Sequence, residues 1–225
     1  MPDIVISDLI KVYKRGQLEV IALRGLDATF PGEKVTWIHG PSGCGKTTLL
    51  NLIGGLDRPT AGSIMIDGGN VAQLSDKEIV AHRLGKVGFV FQFFNLVPVL
   101  TAEENVELPM RMAGVPGNRR ESRVKELLAA VGVDKRAGQR PDELSGGEQQ
   151  RVAIAVALAN DPPVILADEP TGELDSENAA NVVELLRAIS RERGKTVLIV
   201  SHDPKVSSIA DLTVEMADGR IVNPR

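Results

Sequence analysis

The chain has 225 residues, of which 43% are apolar and 25% are charged, and this composition excludes a disordered, collagenous or coiled-coil protein. Its length predicts one large domain or one domain with a sizeable insertion. The 26 Lys and Arg against 30 Asp and Glu give a net charge of −4, so we expect no nucleic-acid partner. The single cysteine, Cys44, excludes an internal disulfide and fits a reducing compartment.

No stretch of the sequence has the apolar length of a membrane span. The longest uninterrupted apolar run, residues 152–159, is far short of the roughly 20 residues that cross a bilayer. The N-terminal segment carries Asp3 and Asp8 and lacks the basic and apolar regions of a secretory signal. We therefore expect the chain to stay in the cytoplasm.

The N-terminal segment alternates apolar and polar residues. Residues 4–6 and 19–30 predict short strands, with turns at residues 15–16 and 31–32. We expect these strands to form an antiparallel layer.

Three later apolar runs have the character of buried parallel strands. They cover residues 35–39, 164–167 and 196–200, and a helix over residues 176–193, ending at Gly194, precedes the last of them. This alternation of strands and helices predicts an α/β sheet.

Between the first and the second of these apolar runs the pattern becomes helical. Residues 93–159 predict an inserted α-helical subdomain, with breaks at Pro98, Pro109 and two glycine-containing turns at 114–117 and 138–141. Basic side chains near residues 118–140 interleave with glutamates at helical spacing, which favours a solvated helix face over a nucleic-acid patch. The chain is thus predicted to be one α/β domain, residues 1–225, whose core comprises residues 1–92 and 160–225.

Residues 40–47, GPSGCGKT, match the phosphate-loop pattern G-x-x-x-x-G-K-[ST], between a predicted strand and a predicted helix over residues 48–53. The glycines let backbone N–H groups face phosphates, Lys46 adds a mobile charge, and Thr47 offers a hydroxyl to Mg²⁺. This context predicts a P-loop NTPase core with a mixed sheet. The predicted nucleotide-binding residues of this loop are Gly40, Pro41, Ser42, Gly43, Cys44, Gly45, Lys46, Thr47 and Thr48.

Two adjacent carboxylates end the predicted strand at residues 164–167. Successive strand residues point in opposite directions, so Asp168 can face a metal ion while Glu169 faces the γ-phosphate and polarises a water molecule. Beside a phosphate loop, this pair favours a magnesium-dependent hydrolytic site over a strand that merely ends in solvated acids.

The segment LSGGEQQR, residues 144–151, opens a helix that continues to about residue 160. Ser145 can cap this helix, and the glycines Gly146 and Gly147 expose backbone N–H groups to an anion. Together with the phosphate loop and the acidic pair, the segment resembles the signature of the ATP-binding cassette (ABC) ATPase family, and the resemblance covers essentially the whole chain.

The resemblance implies roles for further residues. Tyr13 matches the aromatic residue that stacks on adenine, Gln92 the glutamine that touches Mg²⁺ and the attacking water, and His202 the histidine that contacts the γ-phosphate. Residues 173–175 match a loop through which two subunits communicate. The resulting catalytic set is Lys46, Gln92, Glu169 and His202, and the resulting metal set is Thr47, Gln92 and Asp168.

The resemblance also implies partners and cofactors. In the family, two subunits bind two ATP-Mg between the phosphate loop of one subunit and the signature, Ser145 to Gly147 here, of the other. ATP closure and hydrolysis then drive a transmembrane permease, which would hold this chain at the inner face of the cell membrane. The sequence looks like the branch of lipoprotein-releasing and macrolide-export ATPases. It departs from that branch at Glu173, Val156 and Cys44.

Two alternatives stay open at this level. An ATP-gated regulator of the cell-division type would carry the same motifs, whereas 225 residues leave no room for long coiled coils or for a second cassette. The apolar residues between 93 and 100 are either core or a surface for the membrane partner, and we expect Leu96 among the partner-facing ones.

Overall fold

The computed structural model describes residues 3–16 and 18–224. The strands are β1 (Ile4–Arg15), β2 (Leu18–Phe30), β3 (Val35–His39), β4 (Ala61–Ile66), β5 (Gly69–Asn70), β6 (Val87–Val90), β7 (Val164–Asp168), β8 (Thr196–Val200), β9 (Leu212–Ala217) and β10 (Arg220–Pro224). The α-helices are α1 (Lys46–Ile53), α2 (Asp76–Gly85), α3 (Ala102–Met112), α4 (Gly117–Ala130), α5 (Gly146–Leu158) and α6 (Ser176–Arg193).

The predicted antiparallel layer is a four-stranded sheet in the order β2-β1-β4-β5. The first strand is longer than predicted. It was expected over residues 4–6, where the apolar pattern stops, but β1 continues to Arg15. A shift in register between Ile6 and Leu9, where Asp8 has φ 46°, absorbs the polar residues while pairing with β2 resumes. The bulge therefore hides a long strand behind a broken sequence pattern.

The second sheet has six strands in the order β10-β9-β3-β8-β7-β6. The pairs β3–β8, β3–β9, β7–β8 and β6–β7 are parallel, whereas β10 runs antiparallel to β9. The sheet is therefore mixed, as predicted, and its three predicted parallel strands are all present.

The central strands bury both faces against different layers. Ile165 and Ile199 belong to an apolar cluster with α3 to α6, whereas Leu166 and Leu198 belong to a second cluster with α1 and the antiparallel sheet. Strands buried on both sides read as continuous apolar runs, which is why the sequence predicted them well. No helix within the described parts of the chain is long and apolar enough to cross a membrane.

The helical segment between β6 and β7 contains α3, α4 and α5, and it differs from prediction at Pro109. This proline does not break the chain but lies inside α3. Tertiary packing compensates for the missing N–H, because Val106 and Met110 on the same helix are buried in the core. The carbonyl of Pro109 also accepts a hydrogen bond from Asn160 Nδ2 at 3.1 Å.

The basic stretch of this segment forms a solvated helix face, as predicted. Along α4, Lys125 pairs with Glu121 at 2.7 Å, and Arg123 pairs with Glu126 at 2.8 Å. These charges satisfy one another at helical spacing.

Gly88 in β6 fixes how closely α5 approaches the sheet, since a Cβ atom there would overlap the backbone oxygen of Ala157 in α5. We expect Gly88→Ala to destabilise the fold by about 1–3 kcal/mol, because a helix backbone would have to shift. Gly85→Ala is the matched control: Gly85 lies in α2 with open space around it. The melting temperature should fall for Gly88→Ala and stay unchanged for Gly85→Ala. Equal melting temperatures of the two variants would contradict the close approach of α5 to β6.

Candidate functional site

The carboxyl ends of four parallel strands meet at one edge of the six-stranded sheet. Here β3 leads to the phosphate loop, β7 to Glu169, β8 to His202, and β6 to Gln92. A cavity of about 370 Å³ lies at this edge, and we call it the phosphate cavity. It is lined by Ser42, Gly43, Lys46, Thr47, Gln92, Glu169, Val200 and His202. The structure thus brings together all four residues of the predicted catalytic set.

The phosphate loop has a shape that only glycine permits at two positions. Gly40 has φ 149°, and a side chain there would overlap the carbonyl oxygen of Met216. Gly45 has φ 104° and lies against the carbonyl oxygen of Ala22. The loop ends directly in α1, which begins at Lys46, two residues earlier than predicted.

Lys46 is buried within this loop. Its Nζ donates to the carbonyl oxygens of Gly40 at 2.9 Å and Pro41 at 3.1 Å. Cys44 is also buried, with its sulfur 3.9 Å from the same Nζ. Pro41 and Ser42 are exposed on the outer side of the loop.

A second cavity of about 180 Å³ continues from the loop toward the antiparallel sheet, and we call it the outer cavity. It is lined by Val20, Ile21, Ala22, Gly43, Gly45, Lys46, Thr47 and Thr48. The two cavities share Gly43, Lys46 and Thr47, so one elongated ligand could occupy both.

Tyr13 lies beside the outer cavity, paired across the sheet with Val20. Its hydroxyl donates to Asp57 Oδ2 at 2.9 Å, and Lys11 Nζ donates to Asp57 Oδ1 at 2.7 Å while lying 4.7 Å from the Tyr13 ring centroid. Burial raises the pKa of the Tyr13 hydroxyl. Asp57 was not predicted from the sequence, because it lies 44 positions from Tyr13 and no local pattern marks it.

Asp168 contacts Thr47, which lines the phosphate cavity, so two oxygen-bearing side chains lie together beside this cavity. Thr47 Oγ1 donates to Asp168 Oδ1 at 3.1 Å. Burial raises the pKa of Asp168, so a nearby cation would stabilise its charged form. Among the described residues, no group of three or more His, Cys, Asp or Glu side chains is arranged so that it could hold a metal ion by itself. Mg²⁺ is usually bound by one or two carboxylates together with phosphate oxygens of the ligand. Thr47 and Asp168 fit this pattern, because they supply one hydroxyl and one carboxylate.

Glu169 adopts a left-handed backbone conformation, φ 47°, where β7 ends. Its N–H donates to the carbonyl of Val200 at 2.8 Å, so the end of β8 holds the turn. Glu169 Oε2 accepts from the His202 backbone N–H at 3.2 Å, and the His202 Nε2 lies 3.5 Å from Oε1. A non-glycine residue at positive φ is uncommon and often marks a functional turn.

His202 is in turn held by residues that the sequence analysis did not identify. Trp37 Nε1 donates to the carbonyl of Ser201 at 2.9 Å, and Ser201 N–H donates to the carbonyl of Ile38. Ser201 is fully buried. The backbone leading to His202 is therefore fixed from β3.

Gln92 reaches toward the loop that follows Glu169. Its Nε2 donates to Glu173 Oε1 at 2.9 Å, and Gly172 lies so close that a Cβ atom there would be 3.1 Å from Nε2. Gln92 therefore contacts the phosphate cavity and the loop of residues 173–175 at once.

The signature segment caps α5 as predicted. Ser145 Oγ accepts from the Glu148 N–H at 3.3 Å, and Glu148 Oε2 accepts from both Ser145 N–H and Ser145 Oγ. These bonds, with Arg136 nearby, lower the pKa of Glu148 to about 2. A Cβ atom on Gly147 would overlap the Asn178 side chain, which would have to move to admit any larger residue there.

Ser145, Gly146 and Gly147 do not line either cavity. Gly146 instead approaches Leu174 and Phe94. A hydrogen bond also connects the signature helix with the site: the fully buried Gln150 donates through Nε2 to the carbonyl of Phe91 at 3.4 Å, next to Gln92. In one copy of the chain the signature therefore lies outside both cavities.

The apolar segment after Gln92 divides into buried and exposed residues. Leu96 is half-buried and packs against the core. The expectation that it faces the membrane partner from an exposed position is therefore wrong. Phe93 and Val99 are instead 70% and 73% exposed.

The sequence model described as ABC transporter matches residues 23–172. Among curated proteins, an uncharacterised ABC transporter ATP-binding protein of Thermotoga maritima is 51% identical over 95% of this chain and 91% of its own length. The lipoprotein-releasing system ATP-binding protein LolD of Bacteroides fragilis is 48% identical over 92% and 95%. The chain also matches macrolide export ATP-binding/permease proteins over 34% of their length.

A solved structure carries the similarity to the level of the fold. The ATP-binding cassette MJ0796 of Methanocaldococcus jannaschii, solved as a dimer in a post-hydrolysis state bound to ADP and Pi, superposes with a TM-score of 0.91. It is 41% identical and covers 99% of this chain and 97% of its own. Both the predicted α/β P-loop fold and the predicted branch are confirmed. The chain belongs to the ABC transporter family and is an ATP-binding subunit with ATPase function.

Proposed function

We propose that two copies of this chain bind two ATP-Mg at shared sites, and that ATP hydrolysis by the dimer drives a membrane permease. The observation that carries the proposal is the separation of the two anion-binding segments. The phosphate cavity holds the loop and the catalytic residues, whereas Ser145 to Gly147 lie outside it. A two-fold dimer would place the signature of each copy over the other copy's cavity.

ATP fits the two cavities in one direction. The adenine would stack on Tyr13 beside the outer cavity, and the phosphates would lie along the loop, where Lys46 supplies positive charge and the start of α1 supplies backbone N–H groups. Mg²⁺ would be held by Thr47, Gln92 and the nucleotide, with Asp168 beside them. Bound Mg²⁺ would neutralise phosphate charge.

Glu169 is the proposed general base for the attacking water. Its carboxylate faces the cavity and accepts a hydrogen bond from the His202 backbone, which fixes its direction. His202 would contact the γ-phosphate, and Lys46 would stabilise the charge that develops on the transferred group. Loss of the γ-phosphate removes the charge that the partner's signature binds, so the dimer can open.

The relatives favour a transporter over a cell-division regulator. LolD is named for a lipoprotein-releasing system, and the macrolide export proteins join a cassette and a permease in their names. We therefore place this chain at the cytoplasmic face of a membrane, held there by a permease. Its cargo is a property of that partner.

Lys46→Ala should weaken ATP binding roughly 10- to 100-fold, because the phosphates lose a charged hydrogen-bond donor. Titration with a fluorescent ATP analogue measures the change. Lys77→Ala, which removes an equal charge from an exposed position on α2, should bind normally. Unchanged affinity of the Lys46 variant would remove this residue from the site.

Glu169→Gln should abolish ATP turnover while leaving ATP affinity intact, since the amide cannot accept the proton from water. Trapped ATP should then hold the dimer together. Light scattering with ATP and Mg²⁺ should show the mass double for this variant.

Adding Ser145→Arg to that variant should restore the monomer, because it places a bulky side chain on the face that covers the partner's ATP. Nucleotide binding by each copy should persist, since Ser145 lines neither cavity. A Glu169→Gln protein that stays monomeric at high concentration, or a double variant that still dimerises, would contradict the shared sites.

Phe93→Ser combined with Val99→Ser should prevent co-purification with the permease while melting temperature and ATPase rate stay near normal. By resemblance to the family, this segment borders the groove for a cytoplasmic helix of the membrane subunit, and a few apolar anchors hold such a helix. Val222→Ser is the control, because Val222 is exposed on β10 at the opposite edge of the sheet. Normal capture of the double variant would exclude Phe93 and Val99 from the contact.

A further inference from the structure

The carboxamide of Gln92 is held by the loop that follows the catalytic carboxylate. Its Nε2 donates to Glu173 Oε1 at 2.9 Å, and the backbone of Gly172 lies against it. Gln92 lines the phosphate cavity, whereas Glu173 does not. The two ends of the carboxamide thus meet different surroundings.

The chemistry of Glu173 determines which end faces which way. An ionised carboxylate only accepts hydrogen bonds, so it can bind the NH₂ group of a carboxamide but not its oxygen. An asparagine or glutamine at this position could bind either end. A glutamate therefore allows one orientation of Gln92, with the NH₂ group toward Glu173 and the carbonyl oxygen left for the cavity.

The loop that carries Glu173 is itself tied to the catalytic residue. The N–H of Gly172 donates to the carbonyl of Glu169 at 3.1 Å, and the N–H of Leu174 donates to the carbonyl of Thr171. These two hydrogen-bonded turns fix the position of Glu173 in space relative to Glu169. The backbone turn that begins at the proposed general base, Glu169, therefore also holds the residue that orients Gln92.

We propose that Glu173 is a positioning residue that orients the Gln92 carbonyl oxygen toward the divalent cation of the nucleotide. The proposal rests on the proposed function, because it assigns that cation to the phosphate cavity. Oxygen is the donor atom that Mg²⁺ requires, and the NH₂ group of a flipped carboxamide cannot ligate it. Without Glu173, Gln92 would spend part of its time in the non-ligating orientation.

The first test needs neither nucleotide nor metal. In nuclear magnetic resonance spectra of glutamine-labelled protein, the Gln92 side-chain NH₂ signal is identified by its loss in Gln92→Ala. We expect this signal to show one strongly shifted, hydrogen-bonded proton in the wild type and to move to the position of a free carboxamide in Glu173→Ala. An unchanged Gln92 signal in Glu173→Ala overturns the proposal, whatever the protein hydrolyses.

The second test measures the Mg²⁺ concentration that gives half-maximal ATPase rate. Glu173→Ala should raise it roughly three- to tenfold, the size of one lost hydrogen bond. Glu173→Gln should raise it less, because its oxygen can still accept from Gln92 while its NH₂ group permits the opposite orientation. Glu177→Gln, which removes an equal charge from an exposed position on α6, should leave it unchanged.

The outcomes separate the two proposals. A wild-type protein without Mg²⁺-dependent ATPase activity contradicts the proposed function but leaves the resonance test intact. An active Glu173→Ala variant with unchanged Mg²⁺ dependence and an unchanged melting temperature contradicts the positioning role alone. Equal increases for Glu173→Gln and Glu177→Gln would assign the effect to charge and also contradict it.

Discussion

The parallel direction of β6, β7, β8 and β3 is the constraint on which the site depends. Because the strands share one direction, all four chain segments leave the sheet at the same edge. Residues as far apart in sequence as Lys46, Gln92, Glu169 and His202 line one cavity for this reason. The apolar layers on both sheet faces hold the strands in register, so the core keeps the catalytic geometry without contacting the ligand.

Close backbone packing supplies the remaining precision. Gly88 allows α5 to pack closely against β6. The buried Gln150 of α5 donates a hydrogen bond to the carbonyl of Phe91, the residue that precedes Gln92. The signature helix is therefore coupled to the cavity of its own chain, although its capping end serves the partner in the proposed dimer. A movement of α5 would be felt at Gln92 through packed and hydrogen-bonded contacts.

The sequence was sufficient where a local pattern has one physical solution. Apolar runs gave the central strands, and the loop of residues 40–47 gave the phosphate cavity, because glycine spacing there leaves few other structures. It failed where distant packing decides the outcome. Pro109 stays helical because its neighbours Val106 and Met110 are buried, and β1 continues past Ile6 because a bulge absorbs Asp8.

The same distinction applies within the site. Roles of single residues such as Tyr13 came from the family resemblance, whereas Asp57 and Ser201, which hold Tyr13 and His202, have no mark in the sequence. Leu96 and Phe93 are equally apolar in the printed sequence, and only the folded chain tells the buried one from the exposed one. The residue types specify the chemistry, and their supports arise from tertiary contacts.

The hydrogen bond from Trp37 to the carbonyl of Ser201 has a practical consequence. Trp37 is the only tryptophan of the chain, and its indole is bonded to the residue before His202. The His39 ring also lies 4.6 Å from it. Indole emission responds to its hydrogen bonding and to nearby charge, so the chain carries an intrinsic fluorescent reporter at the β8 end of the site. Changes at this end of the site can therefore be followed in solution by Trp37 fluorescence, without attaching a dye.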